Sequence, residues 1–137
     1  MSTSTPDSKY MLLFRDSDWH EGLSPEQMQQ AAGDFIAWFE RLTKEGKVIA
    51  GNPLERGGKV ISGKNGAVVT DGPFTESKET IGGYFLLKVA DFDEAMAIAR
   101  QCPALAYGAK VEVRTVAAKC PLLGISAPDL QLAGNVD

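Results

Sequence analysis

Cysteine and histidine are nearly missing from this chain of 137 residues, which holds two cysteines and one histidine. Cys102 and Cys120 do not form a Cys-x-x-Cys pair. That scarcity argues against a disulfide framework and fits a reducing, cytoplasmic setting. One imidazole, His20, and two distant thiols do not supply the usual zinc set, so no metal is expected. A basic excess is also lacking: 14 Lys and Arg stand against 18 Asp and Glu, for a net charge of -4. A phosphate backbone wants a basic stripe, so nucleic acid is not expected as a direct partner. Apolar runs are too short to span a bilayer, so no membrane partner is expected. The opening residues lack the basic start and apolar stretch of a secretory signal. The glycines form neither a P-loop nor a dinucleotide fingerprint after a strand, and no serine sits in a nucleophile elbow. No cofactor is therefore expected. Internal repeats and low-complexity tracts are absent too.

What remains is an ordinary globular composition, 44% hydrophobic and 23% charged, long enough to bury one core. Residues 1–8 read as a polar disordered lead, 9–116 as the folded domain and 117–137 as a tail. The tail carries Leu122, Leu123, Ile125 and Leu130 and is expected to pack on its own or a neighbouring subunit.

Tyr10 to Phe14 is a short apolar run that reads as a strand buried on both faces. Ser24, Pro25 and Gln27 announce a helix with a capping box. Met28, Ala31, Phe35, Trp38, Phe39 and Leu42 share one helical face, and Gly46 suits its left-handed end. Val48 to Ala50 starts a second strand, expected to stop near Gly51-Asn52-Pro53. Lys59–Ser62 and Ala67–Thr70 flank Gly63-Lys64-Asn65-Gly66, a hairpin signal because Asn and Gly tolerate positive φ. Tyr84 to Val89 is the longest strand. Asp91 and Glu94 suggest a second capping box, and Cys102-Pro103 closes the second helix. Val111 to Val116 alternates like a strand with one wetter face.

The order is β-α-β, an inserted hairpin, then β-α-β. Helices on one side of an antiparallel sheet make an α+β, ferredoxin-like βαββαβ fold. Apolar residues on the other face are expected to pack on a second subunit, giving a homodimer.

Chemistry concentrates around Thr70-Asp71-Gly72-Pro73-Phe74, then Glu76-Ser77-Lys78-Glu79 and Gly82-Gly83-Tyr84-Phe85. Gly72 and Pro73 set a tight turn that can aim the Asp71 carboxylate into a cleft as a base or anchor. Equally, that carboxylate can accept backbone N–H bonds and simply make the turn. Glu76 and Glu79 can crowd Asp71 and separate acid from base roles, or lie on a solvated loop with Lys78. Gly82-Gly83 permits close approach of a neighbouring strand or a ligand. His20, beside Trp19 and flanked by Asp18 and Glu21, is either a second acid–base group or a surface histidine. Arg15 can bind an anion or pair with Asp16 or Asp18. Cys102 reads as a buried structural thiol.

The Asp71-Gly72-Pro73-Phe74 tetrapeptide resembles the signature of the DGPF branch of the YCII-related proteins. Lys9-Tyr10-Met11-Leu12-Leu13, Glu76-Ser77-Lys78-Glu79, Gly82-Gly83-Tyr84-Phe85 and Cys102-Pro103 support it in the same order. The resemblance implies a dimeric α/β-barrel-type assembly with a pocket beside each sheet. It also implies unsettled biochemistry: YCII-like relatives are suspected of working through a His–Asp pair, and some DGPF relatives accompany sigma factors. This chain departs from that pair, with no histidine in the first helix and Cys102 where the other branch has Asp. The expected activity is therefore small-molecule binding with cofactor-independent acid–base chemistry. Asp71 and His20 are its catalytic candidates, and Arg15, Trp19, Glu76 and Tyr84 its substrate-binding candidates. The rival is a ligand-sensing or protein-interaction module with a regulatory protein partner.

Overall fold

A computed structural model describes residues 8–15, 18–55, 57–72 and 81–126. Glu76 and the Pro73-Phe74 half of the DGPF motif lie outside the described residues. The chain runs β1 (Lys9–Arg15), α1 (Pro25–Lys44), β2 (Val48–Pro53), β3 (Gly58–Ser62), β4 (Val68–Gly72), β5 (Ile81–Lys88), α2 (Phe92–Ala99) and β6 (Val111–Thr115). Four strands form one sheet in the order β2-β5-β1-β6, every neighbouring pair antiparallel. This is an α+β, ferredoxin-like arrangement. Among the described residues, β3 and β4 pair only with each other, as a separate two-stranded ribbon.

Pleating separates the faces of the sheet. Leu12 lies opposite Phe85 and Val113, and Tyr10 opposite Leu87. These side chains meet Trp38 and Leu42 of α1 and Ala95 and Ile98 of α2 in one core. Both helices therefore cover the same face. Leu12, Leu42, Leu87 and Trp38 are fully buried, each stabilising by about 1.5–3 kcal/mol relative to exposure. The Trp38 indole N–H has no acceptor among the described residues, a standing cost inside this core.

Local signals explain the ends of the elements. The Ser24 hydroxyl accepts from the Gln27 N–H, and the Gln27 side chain accepts from the Ser24 N–H. Asn65 is the one non-glycine with positive φ among the described residues, between Gly63 and Gly66, which share that region. Two expectations change, while β2 ends at Pro53, within the expected Gly51-Asn52-Pro53 stop. It is an edge strand, where a proline leaves no ladder bond unmade, and Gly51 makes room for Phe85. The second capping box is not reciprocal. Asp91 accepts from the Glu94 N–H, whereas Glu94 reaches past the cap to the Ala90 N–H and to Lys47. Finally, α2 ends at Ala99, and Cys102 instead leads into a 3-10 turn, Pro103–Tyr107, because Pro103 suits the first position of a new helical turn.

The tail's described part turns back on itself. The Cys120 N–H donates to the Ile125 carbonyl at 2.7 Å, and Leu122 and Leu123 stand in solvent at the tip. Among the described residues, no helix is long and apolar enough to cross a membrane.

Candidate functional site

Antiparallel pairing brings the last residues of β1 and β2 to the same edge as the first residues of β5 and β6. A cavity of about 370 Å³ opens there. Phe14 and Arg15 enter it from β1, Gly51 to Pro53 from β2, Gly82 to Phe85 from β5, and Lys110 and Val111 from the start of β6. Phe35, Ile36 and Phe39 of α1 roof it, and Trp19, Cys102, Ala104 and Ala109 complete the wall.

Two glycines let the strands pack closely at this end. Gly83 lies opposite Phe14, and Gly51 opposite Phe85. A methyl on Gly51 would stand 2.8 Å from the Phe85 ring, and one on Gly83 would stand 3.1 Å from the Asn52 carbonyl oxygen. Gly83 thus serves close approach of the neighbouring strand. Around the gap, Phe85 is the hub of an aromatic cluster. Its ring centroid lies 4.8 Å from Phe14, 5.0 Å from Phe39, 5.2 Å from Trp38 and 5.6 Å from Phe35. Those spacings and tilted geometries are the favoured ones for aromatic pairs. Trp19 stacks on Tyr107 at 6.1 Å, bracing the turn Asp18–His20 against the turn after α2.

Few polar groups reach this apolar wall. Asn52 donates to the Tyr84 hydroxyl oxygen at 3.1 Å, which orients the phenol. The Arg15 guanidinium donates to Glu112 at 2.8 Å, and Arg114 holds the other oxygen of that carboxylate at 3.3 Å. Arg15 therefore pairs across β1 and β6, with a residue far away in sequence. Burial pushes the Cys102 thiol above its ordinary pKa, although the Ala104 and Leu105 N–H groups pull the other way. It is a neutral thiol at neutral pH.

Of the residues expected from sequence, Arg15, Trp19 and Tyr84 line this cavity. His20 and Asp71 are not among its lining residues. His20 is half-buried in the turn Asp18–His20, edge-on to Trp19 at 5.6 Å. Asp71 lies on β4, opposite Lys59 of β3. It pairs with that lysine while its side chain remains 86% exposed. Sequence reasoning passed over Phe35 and Phe39, assigned wholly to the core, and Ile36, Asn52 and Lys110. Asn52 carried a usable signal, a Gly-Asn-Pro strand end. Lys110 carried none. No cluster of three or more His, Cys, Asp or Glu suited to a metal ion occurs among the described residues.

The YCII-related domain matches residues 8–121. No curated protein matches the chain. Among solved structures, the chain is similar to 5-chloro-2-hydroxyhydroquinone dehydrochlorinase from Burkholderia phenoliruptrix AC1100, solved in complex with 2,5-dihydroxybenzoquinone. That match has 16% identity and a TM-score of 0.38, covering 76% of this chain and 90% of the other.

Proposed function

We propose that this chain, which belongs to the YCII-related family, binds a small planar organic molecule in the aromatic cavity at the end of its sheet. The carrying observation is the cavity's size and lining. About 370 Å³ falls in the usual range for small-molecule sites. It is more than twice the roughly 150 Å³ that holds a benzene ring, so one or two fused rings fit. Flat walls of Phe35, Phe39 and Phe85 favour stacking on such rings.

Acid–base turnover by Asp71 and His20 is a separate proposal, because it needs both side chains to reach the bound molecule. The DGPF tetrapeptide supports placing the chain in that branch, where Cys102 takes the position of the suspected carboxylate. A neutral thiol there favours binding as the basal activity. A homodimer is proposed on a different observation. Met11, Leu13 and Leu86 lie on the sheet face that bears neither helix, and a second copy would cover them.

Binding is tested by titrating 2-naphthamide, a neutral two-ring probe, and following tryptophan fluorescence in the wild type and in Trp19→Phe. The reading predicts saturable quenching that the substitution removes. It also predicts that Ile36→Glu, at a wall position 56% exposed, weakens binding at least tenfold while the melting temperature holds. An absence of saturable binding by planar probes would refute the reading.

A further inference from the structure

One ring of the cavity wall is carried on a short element. Trp19 lines the cavity from the turn Asp18–His20, which is three residues long. Its side chain is half-buried and packs against the core. Tyr107 is not a lining residue, yet its ring stacks on Trp19 at a centroid distance of 6.1 Å and an interplanar angle of 24°. Of the two, Tyr107 has the firmer base. It closes the turn Pro103–Tyr107, which is rooted in the core through the buried Cys102 and Ala104. Gly108 follows in the left-handed region at φ 92°, and the Ala109 N–H donates to the Ala104 carbonyl at 3.2 Å, tying the two ends of that turn together. His20 also meets Trp19, edge-on at 5.6 Å, but it belongs to the same short turn and cannot anchor that turn to the rest of the fold.

From this arrangement we infer that Tyr107 is a positioning residue for the cavity: it holds the Trp19 ring in the wall from outside, so that a flat ligand meets a surface already in place. The inference rests on the binding reading above and adds a residue that acts without lining the site. A wall ring free to turn would have to be ordered by the ligand, at the cost of one side chain's rotamer freedom. That cost corresponds to about a two- to tenfold loss of affinity. Stacking uses the aromatic face of Tyr107 and not its hydroxyl. Phenylalanine at this position therefore preserves the effect, and a side chain without a ring does not.

The test measures the affinity of 2-naphthamide by calorimetric titration in the wild type, in Tyr107→Phe, Tyr107→Leu and Tyr107→Gln, and in Trp19→Leu with and without Tyr107→Leu. Tyr107→Phe is expected to bind as the wild type does. Tyr107→Leu is expected to bind about fivefold more weakly, and Tyr107→Gln, which also cannot stack, to match it. Tyr107 is half-buried, and circular dichroism checks that each variant keeps the fold. With Trp19→Leu already in place, Tyr107→Leu is expected to change the affinity by no more than about twofold, because no wall ring is left to hold. A merely structural role would weaken binding alike in both backgrounds. Equal affinity of the wild type, Tyr107→Leu and Tyr107→Gln overturns the inference and leaves the cavity reading standing. A loss that Tyr107→Phe shares overturns it as well, because the hydroxyl and not the stack would then carry the effect. So does a loss that persists undiminished beside Trp19→Leu. Failure of the wild type to bind overturns the cavity reading and this inference together.

Discussion

Replacing Phe85 by Ala separates a structural wall from an idle one. Its ring is 5% exposed and touches four other aromatic rings at centroid distances from 4.8 to 5.6 Å. Truncating a buried phenylalanine costs about 3–5 kcal/mol, from lost transfer energy and from the void left behind. Here the void joins an existing cavity and water can enter it, which places the cost near the lower end, about 3 kcal/mol. Domains of this size have roughly 5–15 kcal/mol of stability, so the variant still folds. Urea unfolding followed by circular dichroism should show a midpoint lower by roughly 1–2 M at unchanged slope. The melting temperature should fall by about 10 °C. Phe92→Ala is the control. That ring is 43% exposed and meets only Tyr10 among the described aromatic rings, at 6.1 Å, so its loss should cost under about 1 kcal/mol. A Phe85→Ala cost no larger than that of the control would refute the placement of Phe85 at the centre of the wall.

Asp71→Asn should change stability by less than about 0.5 kcal/mol, because the Lys59 pair is exposed and screened; probe binding should be unchanged by titration, and its loss would return Asp71 to the site. Ser24→Ala should cost about 1 kcal/mol in thermal or urea unfolding by removing half of the capping box. Cys102 should resist a water-soluble thiol reagent at pH 8 in the native state, whereas Cys120, less buried, should react first. The native state keeps the Cys102 proton that the unfolded chain releases. Stability should therefore fall as pH rises through the ordinary thiol range, above about 8.5, and a Cys102→Ala variant should lose that slope in urea titrations at stepped pH.

The fold was largely legible because its signals are local. Ser24 and Gln27 form the capping box, Asn65 takes the left-handed turn, and apolar spacing marks Trp38 and Leu42 as core. Errors fell where tertiary context overrides a local rule, as where Glu94 reaches past the cap to the Ala90 N–H and to Lys47. The cavity was half legible for the same reason. Tyr84 and Arg15 sit at strand ends that simple alternation locates. Phe35 and Phe39 look like core in any helical projection, and only the tertiary arrangement of the strand ends opens that face onto a cavity. Lys110 reaches the site through a backbone bond to Arg15, a contact with no trace in either local sequence. Asp71 drew notice through its turn chemistry, which sequence reports well. Sequence does not report that, among the described residues, its ribbon pairs only with itself.

The most direct measurement is a two-dimensional ¹H–¹⁵N NMR titration of the full chain with 2-naphthamide. The Trp19 indole N–H and the amides of Phe39, Gly83, Tyr84 and Lys110, all at cavity positions, should shift together along one saturable curve. Silence at those positions, or shifts confined to β3 and β4 around Asp71, would contradict the account.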